Sequence, residues 1–222
     1  MCFSASASFS AGIILAGIGV ASIKKAAKPS HILFASIPFF FCLQQITEGF
    51  VWLSLSNAGF YTWQNAASTT FIFFAQVLWP AFVPISISKL EAKETRSLSE
   101  KIIIGIGVLV SVYLWYCLVR YPVSAKIIGH HITYSQASPD SPFRLVGLLY
   151  IIATIAPPFF SHIRRMWILG ATILISYAIT TIFYTDYFVS VWCFFASIIS
   201  MAVYAIIYEL KPNNNISTPL PV

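Results

Sequence analysis

Residues 32–56 read ILFASIPFFFCLQQITEGFVWLSLS, a run long enough to cross a bilayer that nevertheless carries one acid, Glu48. Burying an ionisable carboxyl in hydrocarbon costs roughly 2.5–3.5 kcal/mol on insertion scales, so such a group is rarely left without a partner or a task. The stretch sets a fold class, a membrane bundle, and a first candidate functional residue together. Helical spacing puts Gln44, Gln45, Glu48, Trp52 and Ser56 on one side of this span. Two readings follow. Gln44 or Gln45 satisfies the carboxyl and the group serves as glue between helices, or Glu48 serves a ligand, a proton or a metal.

The rest of the chain agrees with a membrane reading. Hydrophobic residues make up 58% of the 222 and charged residues 9%, and the mean hydropathy is +0.81. About a quarter of the residues in a soluble domain are charged, so a water-soluble fold is excluded. Spans needing roughly 20 residues each divide the chain into seven with short connections, which makes one transmembrane domain over residues 1–211. The expected spans are Ser6–Ile23, Ile32–Ser56, Thr69–Ile87, Ile102–Val119, Leu145–Ser161, Met166–Tyr184 and Phe188–Tyr208. The fold expected is therefore all-α, a seven-helix transmembrane bundle. The tail 212–222, rich in Pro and Asn, has linker composition and is expected to be disordered and cytoplasmic.

With the N-terminus outside, the inner side receives Lys24, Lys25, Lys28, Lys89, Lys93, Arg96, Lys101, Arg164, Arg165 and Lys211. The outer side receives Arg120, Lys126 and Arg144. This division uses all 13 basic residues and is a strong positive-inside signal. It also explains the formal charge of +6 without nucleic acid, because the basic residues cluster at span ends and form no polar face. The start Met-Cys-Phe-Ser has no basic n-region, and the first Lys pair follows the apolar stretch, so the first span is expected to be an uncleaved anchor.

Prolines interrupt two spans, Pro80 and Pro84 in the third and Pro157-Pro158 in the fifth. Each lacks an N–H and releases the carbonyl four residues earlier, those of Gln76, Pro80, Ala153 and Thr154. The freed groups can kink the helix, be satisfied by neighbouring hydroxyls, or coordinate a ligand. Ser8, Gly12 and Ala16 in the first span form a small-residue packing stripe, and Asp186, Ser190, Cys193, Ser197, Ser200, Tyr204 and Tyr208 mark the bundle-facing side of the seventh, which packing mostly explains. The mainly aliphatic and aromatic fourth span is expected at the lipid-exposed periphery.

On this topology Cys2, Ser4, Glu48, His130, His131, Tyr134, Asp186 and Cys193 all fall at the outer surface or in the outer half of the membrane. Thiol, imidazole and carboxylate are the common ligands of zinc and related metals, and a thiol beside an imidazole makes an activated thiolate. No local spacing here is a metal or protease signature, and an interfacial polar loop explains the adjacent histidines equally well. Of the four cysteines, Cys42 is expected as a packed free thiol, while Cys2 and Cys193 could share a disulfide or a metal.

The strings MCFSASASF, LQQITEGFVW, WPAFVPIS, GHHITY and SVWCFFAS together resemble an uncharacterised family of small bacterial multi-pass membrane proteins that open with Met-Cys-Phe-Ser. The resemblance spans nearly the whole chain and implies architecture, a bacterial inner-membrane location and a set of positions, with no established activity. Those positions are Cys2, Ser4, Glu48, Trp79, Pro80, His130, His131, Tyr134, Trp192 and Cys193; Ser197 departs from the Ala of the pattern. No Lys stands in the seventh span to form a retinal Schiff base, and the several intramembrane histidines of membrane zinc hydrolases are missing.

The leading expectation is a bilayer-embedded protein that binds a small ligand or ion in an outward-facing polar pocket for sensing or transport. Its candidate residues are Glu48, Gln45, His130, His131, Tyr134, Cys193 and Cys2, with His130, His131, Glu48 and Cys193 as candidate ligands of a divalent metal. A sensor of this size would need a protein partner to pass on its signal. The rival readings are a membrane-embedded metal- or thiol-dependent enzyme and a structural or assembly protein. Reporter fusions should place both the Leu90–Glu100 loop and the C-terminal tail inside; two termini on the same side of the membrane would overturn the odd span count and the orientation with it.

Overall fold

A backbone inside hydrocarbon must satisfy its own N–H and C=O groups, which favours long helices wherever the sequence stays apolar. The computed structural model describes residues 4–91, 97–136, 143–183 and 195–210. Among them, five helical stretches are long and apolar enough to cross a membrane: Ala5–Lys25, Pro29–Ser56, Gly59–Leu90, Leu98–Arg120 and Met166–Phe183. Two further apolar helices, Leu145–Ile155 and Ala196–Glu209, are shorter. The predicted tail and the outer half of the predicted seventh span lie outside the described residues.

Helix α1 (Ala5–Lys25) begins at Ser4, whose hydroxyl accepts the Ala7 N–H at 3.2 Å, and ends with Lys24 and Lys25 against its negative pole. Its buried positions Ser8, Gly12, Leu15, Gly19 and Ser22 recur at steps of four and three, a narrow seam of mostly small residues. That seam lies along α3 (Ile37–Ser56), whose Ile46 side chain and Cys42 carbonyl come close at Gly12. The seam continues past the expected Ser8, Gly12 and Ala16, with Leu15 and Gly19 taking the central positions.

Three of the expected spans are broken. α2 (Pro29–Ala35) stops one residue before α3 starts, and Pro38 stands in the first turn of α3. The third span runs as a 3₁₀ turn Ala58–Trp63, α4 (Gln64–Ile72), a π-helical segment Phe73–Leu78 and α5 (Trp79–Leu90). After α6 (Leu98–Arg120), which opens on a Ser97–Glu100 cap, the fifth span divides into α7 (Phe143–Ile155) and α8 (Pro157–Phe160). α9 (Met166–Phe183) and α10 (Ala196–Glu209) complete the helices. α6 packs one face on α5 and α7 and exposes Leu109, Val112, Trp115, Tyr116 and Val119 on the other, which suits contact with lipid.

The π-helical segment has a physical cause next to it. In its i to i+5 register the carbonyl of Ala75 would bond the N–H of residue 80, and that residue is proline. The Tyr150 hydroxyl of α7 takes the place of the missing donor, bonding the Ala75 carbonyl at 2.7 Å. The carbonyl satisfied from outside is thus Ala75, one residue before the Gln76 that a purely α-helical register singles out.

An all-α fold needs correction in one place: residues 123–136 form an antiparallel hairpin of β1 (Val123–Ile128) and β2 (His131–Gln136), in register Ile128↔His131. Gly129 has φ +61, as the first central position of a two-residue II′ turn requires. β-branched residues on both sides of this turn favour strands over a helix or an open loop. Gln136 closes the junction by donating to the carbonyls of Cys117 and Tyr121 at 3.1 and 3.0 Å, capping the end of α6.

Helix α6 passes close to Pro80 of α5. A Cβ added at Gly107 of α6 would run into the Pro80 carbonyl, whereas one added at Gly105 meets nothing within 4 Å. Gly107→Ala should therefore destabilise the protein by about 1–3 kcal/mol, the usual cost of overpacking, while Gly105→Ala should be neutral or slightly stabilising. Equal midpoints for the two variants in a denaturation series in detergent would refute the close α5–α6 contact.

Candidate functional site

The polar stripe of α3 is fully interior: Gln44 and Gln45 are each 2% exposed and Glu48 0%. Gln45 Nε2 donates to Glu48 Oε2 at 3.3 Å, a pairing within one turn of the helix. Gln44, about 100° around the helix from Gln45, accepts the Trp79 indole N–H at 3.0 Å. α3 therefore carries an acid–amide pair and a second amide that reaches the third span. Trp52, one turn beyond Glu48, is buried, and its indole N–H has no hydrogen-bond partner among the described residues.

Gln44 borders a cavity of about 210 Å³ lined by α3, the π-helical segment, α5, α6, α7, α9 and α10. Its walls are chiefly aliphatic and aromatic. Polar groups reach it from Gln44, Gln76, Trp79, Tyr150 and Thr154, and Glu48 is not among the lining residues. The Phe41 and Trp79 rings stack on one wall, with centroids 4.2 Å apart and planes 29° apart. The broken third span explains this placement. The π-helical turn brings Ala75, Gln76 and Trp79 to the same wall, and the Tyr150 bond ties α7 to it.

The other sequence-predicted residues are distributed differently. His130 is exposed at the hairpin turn, and His131 pairs across the ladder with Ile128. Burial first, and the neighbouring His130 second, hold the His131 pKa below the ordinary imidazole range, which keeps this ring neutral near pH 7. Tyr134 stacks on Phe71 of α4 at 4.7 Å and joins the apolar cluster that contains Trp52, so the hairpin packs down on the end of the bundle where Glu48 lies. Among the described residues no group of three or more His, Cys, Asp or Glu could hold a metal ion. Cys2 and Cys193, and with them the thiol chemistry and the expected pairing, lie outside the described residues. Cys42 and Cys117 are free and buried.

A second polar cluster, at the opposite end of the bundle, has no counterpart in the sequence-based site. Glu91, 8% exposed, follows α5 and accepts the Ser161 hydroxyl at 2.5 Å and the His162 backbone N–H at 2.8 Å. Its other carboxylate oxygen is buried with no hydrogen-bond partner among the described residues. The only sequence signal for it is position, an acid at the first residue after a span. Its effect is to strap the end of α5 to the connection between α8 and α9.

No curated protein and no solved structure gives a significant match to this chain. A family model does match, over residues 1–216, and its description is a family of unknown function, DUF6629. The match takes in the polar stripe of α3, the proline-broken third span, the hairpin and the cavity wall alike, and the chain belongs to that family.

Proposed function

We propose that this chain is a seven-span protein of the bacterial inner membrane, with its N-terminus outside and C-terminus inside, that binds a small ligand within the helical bundle for sensing or transport. The topology is supported by the distribution of basic residues and by contacts at one end of the bundle. There Lys25 of α1 lies 5.5 Å from the Tyr208 ring of α10, and Arg165 bonds Glu209 at 2.6 Å.

The observation that carries ligand binding is the cavity bordered by Gln44. A largely apolar hollow with a few convergent polar groups is the usual form of a small-molecule site. Glu48, one turn along α3 and paired with Gln45, supports the adjacent helix packing and does not border the hollow.

Gly147 supplies the test. It borders the cavity, yet a side chain started there meets nothing within 4 Å, so a larger residue can fill the space without disturbing the backbone. Leu148 beside it is 54% exposed and serves as the control position. Mass spectrometry of small molecules extracted from the purified full chain should find one bound species near equimolar amounts in the wild type and in Leu148→Phe. Its content should fall at least tenfold in Gly147→Phe. Equal content in all three proteins, or none in the wild type, would overturn the reading.

A further inference from the structure

The cavity wall restricts the chemistry of its occupant. Among the described residues no Asp, Glu, Lys, Arg or His lines it. A charged ligand entering this wall would lose its hydration and meet no counter-charge, so a metal ion, a carboxylate or an ammonium group is disfavoured. Most of the polar groups at the wall are already engaged with protein. Trp79 donates to Gln44, Tyr150 to the Ala75 carbonyl and Thr154 to the Tyr150 carbonyl. Gln76 differs: it is half-buried in the wall, and its amide makes no hydrogen bond among the described residues. It can offer two N–H donors and one acceptor.

Two further observations add shape. The Phe41–Trp79 stack supplies flat aromatic surface, against which a planar conjugated ring packs better than a bulky aliphatic one. On α7 the wall lacks a side chain at the exposed Gly147. A head group can sit against Gln76 while an attached chain passes this gap into the surrounding hydrocarbon.

We infer that the cavity takes an uncharged, planar carbonyl compound of the quinone class carrying a lipophilic tail, with a ring carbonyl accepting from the Gln76 amide and the ring lying along Phe41 and Trp79. The inference rests on the ligand-binding reading above and names the ligand class. It involves recognition only and no redox step. The uncharged carbonyl uses the Gln76 amide, which makes no hydrogen bond among the described residues. The ring uses the aromatic wall, and the tail leaves through the gap beside Gly147.

The test uses the full chain in phosphatidylcholine nanodiscs, titrated with decylubiquinone and followed by quenching of tryptophan fluorescence. Saturable quenching is expected in the wild type and in Leu148→Phe. Its Kd should rise about 5–10-fold in Gln76→Leu, the loss of one hydrogen bond, and saturation should vanish in Gly147→Phe. Gln76→Met, similar in size and also without the amide, should weaken binding to the same extent and replaces Gln76→Leu if that variant fails to fold. Decanoate and decylamine, tailed but charged, should not compete at tenfold excess. Quenching that is linear in the wild type, an unchanged Kd without the Gln76 amide, or competition by either charged compound overturns the quinone assignment. If quinone binding fails while another molecule co-purifies and is lost in Gly147→Phe, the ligand class is wrong and the pocket stands; if both fail, the pocket falls too.

Discussion

The missing N–H of Pro80 is the constraint on which the middle of this bundle depends. In water the orphaned carbonyl would be solvated, but between apolar helices it needs a protein donor, and Tyr150 of α7 supplies it. The consequences spread from that one bond. The third span runs as a π-helix where it would otherwise remain α-helical, α7 is held to it, and α6 approaches the Pro80 carbonyl so closely that only glycine fits at position 107. A cavity persists beside this junction because the wall is held by directional bonds, whereas apolar side chains alone would be free to collapse into the space.

Much of the architecture was legible in the sequence for the same reason. Hydrocarbon demands long apolar helices, so hydropathy carries strong information, and most of the expected span ends lie within a few residues of the observed helix ends. The proline interruptions were legible as well. Their outcome was not, because the choice between an α-helical and a π-helical register turns on a tyrosine located 75 residues away in sequence. The hairpin was missed although its signal is present: VSAKII and HITYSQ carry β-branched residues on either side of a Gly-His turn. Reading the His130-His131 pair for metal chemistry drew attention away from the glycine before it.

For the site, the polar stripe on α3 could be read and its division could not. Gln44 and Gln45 are adjacent, so helical spacing assigns both to one broad side, yet their side chains diverge by about 100°. The rotation of α3 decides which side of this polar stripe meets the cavity. That rotation is set by packing against α1 through Gly12 and against the third span through Trp79, long-range contacts that no local pattern encodes.

This division changes what an intramembrane acid implies. A carboxyl in a span invites the assumption that the functional pocket surrounds it, because leaving it unsatisfied is costly. Here part of that cost is met on the same helix by Gln45, and the enclosed Glu48 needs no opening to be accommodated. At the neighbouring position Gln44 accepts the Trp79 indole N–H and so holds Trp79 in the cavity wall. Glu48 stands on the same helix as Gln44 without bordering the cavity. Removing its charge and removing the polar lining of the cavity are distinct perturbations of the bundle.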